Sequence, residues 1–398
     1  MQRFIKCLVG VGLAMAMGCD GQLDPVESSD ESIIHGDVVP VDGYPTVGMV
    51  MTIATASRNG SPPKRGPLAL CTGTLISPTA VLLAAHCVDQ QILSASLQQA
   101  GITISGAIEF RFTYDNSVSS FIKTNPDGTR TFDEKPSLLV VATTEQMPIN
   151  IFGALQRPGK MDDIAVLKLA HPVKGKPVQA LATPEMVAGM QMGSAHAVAG
   201  YGQTSNVPGD FNGDGVQDDP GASAGTLHSG VSKLNQLGAN ELIAGNMDPQ
   251  QACHGDSGGP IFLDGTTGVQ MGIASRINAM PGGGGAPLCE PGLLYTRVDA
   301  YLDWIHQHVP DLGQATAPCA PNDTDPSCAG EGNGHTGDPD AGTPPPPGPD
   351  AGTTNPGDGD PSSGCGCTVG GQSQAPRGAL VLLLVGAAVV VGRRRRRR

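Results

Sequence analysis

The sequence predicts an all-β domain, a sandwich or a barrel, closed by one C-terminal helix. Three observations carry this. β-Branched and apolar runs of strand length recur from Ile33 to about Val309, separated by clusters of Gly, Pro, Asn and Asp. The 398 residues include 56 Gly and 34 Pro but only 15% charged residues, which suits a loop-rich β protein and not a helical bundle. Leu302, Ile305 and Val309 fall at helical spacing within Val298 to Val309.

At the N-terminus, Arg3 and Lys6 precede the apolar stretch Leu8 to Met17, the pattern of a secretory signal, so residues 1–18 are read as a signal peptide. Ala16-Met17-Gly18-Cys19 resembles a bacterial lipoprotein cleavage site; plain cleavage nearby, with Cys19 unmodified, is the alternative. Residues 19–32 carry Asp20, Asp24, Glu27, Asp30 and Glu31 and read as a pro-segment. The folded domain is placed at 33–310. Its expected strands are Val47 to Ile53, Thr74 to Ile76, Val81 to Ala84, Ile164 to Leu169, Ala195 to Ala199 and Gln270 to Ala274. Residues 311–363 are rich in Pro, Gly, Asp and Thr, repeat Asp-Ala-Gly-Thr at Asp340 and Asp350, and read as an extended disordered linker with Cys319 and Cys328 closing a small loop at its base.

The last block, 364–398, holds Cys365-Gly366-Cys367, an apolar run Ala379 to Val391 and the arginines Arg393 to Arg398. As a helix the run would be roughly 20 Å long, shorter than the ~30 Å hydrocarbon layer, so a span requires local thinning and arginines held at the cytoplasmic face. The pattern resembles myxobacterial C-terminal sorting tails. That resemblance implies a processing enzyme as partner and display at the cell surface; a simple membrane anchor is the alternative. The formal net charge of −13 argues against nucleic acid, because phosphate binding needs a basic face.

Of the ten cysteines, Cys7 falls inside the N-terminal apolar run and Cys19 closes it; the spaced cysteines behind the export signal read as disulfides formed in an oxidising compartment. Sequence neighbours suggest Cys71 with Cys87, Cys253 with Cys289, Cys319 with Cys328 and Cys365 with Cys367, while the sequence alone leaves the connectivity open.

The chemistry-bearing stretch is Cys253-His254-Gly255-Asp256-Ser257-Gly258-Gly259-Pro260, a serine in a glycine-flanked turn that leaves room for a substrate backbone. Ala84-Ala85-His86-Cys87 and Asp163-Ile164-Ala165-Val166-Leu167 lie upstream, giving the order His, Asp, Ser. An imidazole titrating near pH ~6.5 can take and return a proton, a carboxylate can fix its tautomer, and a serine hydroxyl can then attack. These motifs closely resemble the chymotrypsin/trypsin family of serine peptidases. The resemblance implies two six-stranded antiparallel β-barrels followed by a C-terminal helix, and peptide-bond hydrolysis with no cofactor needed for catalysis. It assigns His86 as base, Asp163 as its orienting partner, Ser257 as nucleophile, and the N–H groups of Gly255 and Ser257 as the oxyanion hole. It also supports the bridges Cys71 to Cys87 and Cys253 to Cys289 around the site.

Ser32-Ile33-Ile34-His35-Gly36 resembles the family's activation junction: cleavage before Ile33 by an activating protease would free an ammonium group to pair with Asp256. With Ser32 before the cut, a trypsin-like activator is not expected. Gln251 stands where trypsin-like relatives carry an Asp, so a preference for Arg or Lys is not expected. Ser275 matches the strand that pairs with substrate, and Ile277 and Leu293 narrow the pocket walls. Protein or peptide substrates with small or medium uncharged side chains are therefore expected.

One further motif stands apart. Asp210, Asn212, Asp214 and Asp218, with the carbonyl of Val216, follow calcium-loop spacing; Gly221 replaces the usual bidentate carboxylate, and Asp219 is the candidate substitute. A structural calcium ion there would protect a surface loop from autolysis. The sequence reading is thus a secreted or surface-held serine endopeptidase. The alternatives are an adhesion or binding module on a peptidase fold, and an esterase using the same residues.

Overall fold

The computed structural model describes residues 33–328, apart from 35, 41, 59, 125–129, 150–160, 203–223, 247, 249, 265–267, 279–288 and 290. Its strands close into two antiparallel barrels. The first contains β1 (Val47–Arg58), β2 (Lys64–Ser77), β3 (Ala80–Leu83), β4 (Glu109–Thr113), β5 (Leu139–Gln146) and β6 (Ala165–Leu169). Around it the order is β1-β2-β3-β6-β5-β4, and β4 pairs back onto β1. The second contains β7 (Ala195–Gly200), β8 (His228–Leu237), β9 (Glu241–Ala244), β10 (Pro260–Phe262), β11 (Val269–Ile277) and β12 (Leu293–Arg297). Its order is β7-β8-β9-β12-β11-β10, closed by β10 on β7. Counted within each barrel, the two orders are identical. Closure gives the barrel strands partners on both sides, so no long edge is left among the described barrel strands to template aggregation.

β1 shows why the sequence runs apolar there without a clean alternation. Val50 points into the first barrel's core with Leu75, Leu82 and Phe112. Val47, Met49, Met51 and Ile53 face the other way, against Phe121, Ala197, Tyr201 and Phe262. A strand covered on both faces needs apolar residues at every step. The second barrel has its own core around Val198, Leu234, Ile261, Met271 and Tyr295.

Among the described residues, three short α-helices complete the body. α1 (Gln90–Gln99) was not expected from sequence; Asp89 caps it by accepting from the N–H groups of Gln91 and Ile92, both at 2.9 Å. α2 (Pro184–Ala188) is capped by Thr183. α3 (Leu302–His308) is the expected terminal helix, and Ile305 and Val309 pack back onto the first barrel beside Leu75, Ile76 and Leu167. None of the described helices is long and apolar enough to cross a membrane.

The domain boundary at 310 needs correction. Residues 311–328 are held on the first barrel and are not part of a free linker. Gly313 N–H donates to the Ile76 carbonyl at 3.0 Å, and Gly175 N–H to the Ala317 carbonyl at 2.8 Å. Thr79 donates to Asp311, Lys174 N–H donates to Ser327 Oγ, and the Lys174 ammonium lies 3.2 Å from Asp323 and 3.5 Å from Asp325. The Cys319–Cys328 disulfide closes this segment. Composition alone read it as a tether; the bridge and Lys174 supply the missing order.

Candidate active site

The site lies where the barrels meet, and each barrel supplies part of it. His86 sits in a 3₁₀ turn, Ala85–Cys87, directly after β3. The Cys71–Cys87 disulfide ties that turn to β2. Asp163 stands just ahead of β6 and is fully buried. Its Oδ2 is 2.7 Å from His86 Nδ1, and its Oδ1 accepts the His86 backbone N–H at 2.9 Å. Two contacts thus fix the ring's position as well as its tautomer, with Nδ1–H toward the carboxylate and Nε2 free to accept a proton.

The second barrel braces the same carboxylate. Ser275 Oγ donates to Asp163 Oδ2 at 2.6 Å, and Thr296 Oγ1 donates to the Asp163 carbonyl at 3.0 Å. Burial pushes the Asp163 carboxyl upward, but the His86 charge and the hydrogen bonds from His86 and Ser275 hold it below the usual carboxylate range. Burial pushes the His86 imidazole down; Asp163 more than offsets this, so its pKa is raised, with Arg276 opposing. Such a pair favours the charged carboxylate and accommodates a cationic ring when it forms.

Ser257 is half-buried, in a turn whose glycines are required by conformation. Gly255 and Gly258 have φ of 96° and 86°, the left-handed region. A Cβ at Gly258 would also stand 2.2 Å from the Thr72 carbonyl oxygen and 3.2 Å from the Ala84 nitrogen, so the serine turn is pressed against β2 and the strand leading to His86. Thr72 N–H donates to the Ser257 carbonyl at 2.8 Å; Thr72 Oγ1 donates to the Gly255 carbonyl at 3.2 Å and accepts from Tyr201 N–H at 3.0 Å. Cys87 Sγ lies 3.8 Å from His86 Nε2 and 3.7 Å from the Ser257 carbonyl oxygen, so the two turns flank one disulfide. Among the described residues, no backbone carbonyl accepts from the N–H of Gly255 or of Ser257.

The remaining sequence-selected residues surround this centre. Asp256 is buried and accepts from the N–H groups of Gly202 at 2.8 Å and Cys253 at 2.7 Å. Burial raises its pKa to about 7. Gly200 and Gly202 are glycines because a Cβ at either would lie 2.5 Å or less from that carboxyl. Ile33 is fully buried within the second barrel's core, and Ile34 exchanges backbone hydrogen bonds with Gln251 at 2.9 and 3.3 Å. Gln251 is buried; its Nε2 donates to the Asp248 carbonyl, and its Oε1 has no partner among the described residues. Ile277 pairs with Leu293 across β11 and β12 and packs on the Cys253–Cys289 disulfide. The calcium-spaced run Asp210, Asn212, Asp214, Val216 and Asp218 lies outside the described residues, as do Cys7, Cys19, Cys365 and Cys367.

Sequence reading missed Thr72, Thr296 and Arg276. Their roles depend on contacts across the barrel interface, which no local motif encodes. Ser275 was selected for its strand, and its hydrogen bond to Asp163 is an added role.

A protein-family model described as Trypsin matches residues 139–305, a stretch that includes Asp163 and Ser257. Phenoloxidase-activating factor 3 of Holotrichia diomphalia is 27% identical over 293 residues, covering 70% of this chain and 73% of that protein. Tryptase of Mus musculus is 29% identical over 252 residues (60% and 78%), and chymotrypsin-C of Rattus norvegicus is 27% identical over 246 residues (60% and 78%). A solved HL collagenase structure aligns with a TM-score of 0.45 at 17% identity, covering 70% of this chain and 99% of that one.

Proposed function

We propose that this chain, a serine-type endopeptidase with a trypsin-family domain, hydrolyses peptide bonds through an acyl-enzyme formed on Ser257. Ser257 Oγ attacks the scissile carbonyl carbon while its proton passes to His86 Nε2. Asp163 stabilises the resulting imidazolium and holds its Nδ1–H. The N–H groups of Gly255 and Ser257 receive the oxyanion. Collapse breaks the C–N bond and the His86 proton leaves with the amine. Water, deprotonated by His86, then adds to the acyl carbonyl; collapse breaks the ester bond, the His86 proton returns to Ser257 Oγ and the acid leaves. The observation that carries this reading is the doubly bonded His86–Asp163 pair, at 2.7 and 2.9 Å, against the serine turn. The test compares wild type with Ser257→Ala on a diverse peptide pool, beside fluorophosphonate labelling. Cutting and labelling only by wild type is expected; cutting by the Ala variant refutes it. Turnover of ester but not amide substrates would point to an esterase.

The finer readings rest on sequence and on the same geometry. Gln251 and Ile277 favour small or medium uncharged side chains before the cut; a clear preference for Arg or Lys would overturn this. Cleavage before Ile33 frees an ammonium that pairs with Asp256, whose buried carboxylate lacks a cationic partner among the described residues. N-terminal sequencing of the active form should begin at Ile33. Three disulfides support export to an oxidising compartment, followed by secretion or surface display. The reading of Asp210 to Asp218 as a calcium loop is supported by spacing alone; a chelator that leaves melting and autolysis unchanged removes it. The tail's sorting role predicts that mature surface protein lacks the final arginines.

A further inference from the structure

Behind the His86–Asp163 pair lies an ion pair that peptide cleavage as described does not use. Arg276 follows Ser275 on β11, and its guanidinium grips Glu241 of β9 in bidentate fashion, at 2.6 and 3.2 Å. Glu241 is 3% exposed and the Arg276 side chain 12%. The same Arg276 Nη1 donates to Ser275 Oγ at 3.4 Å, and Ser275 donates to Asp163 Oδ2 at 2.6 Å. One connected chain therefore runs from Glu241 through Arg276, Ser275 and Asp163 to the imidazole. We propose that Arg276, anchored by Glu241, is a positioning residue that aims the Ser275 hydroxyl at Asp163 and sets the proton affinity of His86 from the second barrel. This rests on the peptidase reading of the site.

The geometry supports the assignment from two sides. A serine hydroxyl can rotate; a guanidinium on its lone pairs leaves its hydrogen directed at the carboxylate. A cation this close also opposes the imidazolium: burial is the main cause that lowers the His86 pKa, and Arg276 adds to it against Asp163. Among the described residues, the charged neighbours along the chain from His86 and Asp163 are engaged elsewhere. Asp89, on the ring's own segment, caps α1 and accepts from Gln146. Asp162, beside Asp163, accepts from Tyr301 and Asn240. Glu241 counters Arg276 itself.

The test measures the His86 ring titration by NMR on histidine-labelled full chain carrying Ser257→Ala, and the acidic limb of kcat/KM in the active chain. Arg276→Gln removes the opposing charge, so both should move to higher pH, and Arg276→Lys should restore them. Glu241→Gln leaves Arg276 uncompensated, so both should move to lower pH. A double Arg276→Gln/Glu241→Gln variant keeps the site neutral if the single variants fold poorly, and should lie between them. Coincident titrations in all variants, whatever the rates do, overturn the proposal. Because the ring titration needs no turnover, it stands apart from fluorophosphonate labelling, whose failure would strike the peptidase reading instead.

Discussion

Thr72→Val is the most telling perturbation of the interface between the barrels. The variant keeps the branched shape of a fully buried residue and deletes one hydroxyl. That hydroxyl donates to the Gly255 carbonyl at 3.2 Å and accepts the Tyr201 N–H at 3.0 Å. Tyr201 is fully buried, so its N–H loses its partner with no water to replace it, at about 1–3 kcal/mol. Gly255 is half-buried, so its carbonyl recovers part of the loss from solvent. The sum is roughly 2–4 kcal/mol, a large share of the ~5–15 kcal/mol that holds a typical domain folded. Thr72 N–H still donates to the Ser257 carbonyl, so the nucleophile turn should loosen and not detach. Equilibrium denaturation of the Ser257→Ala background gives the stability change, and fluorophosphonate labelling rates in the active background report the loop. Thr72→Ser should recover most of both. If Thr72→Val matches wild type in stability and labelling, the strut does not operate as described.

Asp163→Asn should lower kcat on the order of 10⁴-fold. Both carboxylate oxygens face donors, so an amide group puts N–H against N–H or forces the imidazole to carry its proton on Nε2; NMR of the ring tautomer checks it. Replacing Cys253 and Cys289 by Ala opens a bridge spanning 36 positions and should cost up to about 4 kcal/mol in the chain-entropy account, read by urea titration. Asp256 predicts a reversal on cleavage. In the uncut chain its folded pKa of about 7 exceeds the unfolded value, so its contribution is fully present below pH ~4 and is lost as pH rises toward 7, up to roughly 4 kcal/mol. Pairing with a new ammonium at Ile33 would lower that pKa and abolish the loss. Denaturation midpoints of cut and uncut Ser257→Ala chains should therefore diverge between pH 4 and 8; parallel curves would refute this.

What the sequence made legible follows from where the information sits. His86, Asp163 and Ser257 lie in short motifs whose neighbours serve the same turn: Cys87 anchors the imidazole, and Gly255 and Gly258 take the left-handed conformations around the serine. β1, β2, β3, β6, β7 and β11 were visible as apolar runs. The short strand β10, only Pro260–Phe262, and β8, with exposed alternate residues, carry weaker signals. Thr72 and Arg276 could not be found in this way, since each acts on residues remote in sequence. Residues 311–328 were misread because Pro, Gly and Asp look like a tether until the disulfide and Lys174 are seen together.

That same fastening decides how tension would travel. A pull applied to the polypeptide beyond Cys328 meets first the covalent loop closed at Cys319 and the lysine gripping Asp323 and Asp325. These sit on the first barrel, so the strain is grounded there before it reaches α3 or the strands bearing Ser275 and Thr296. Load on the polypeptide past Cys328 is therefore shared by the disulfide and the Lys174 contacts before α3 carries any of it.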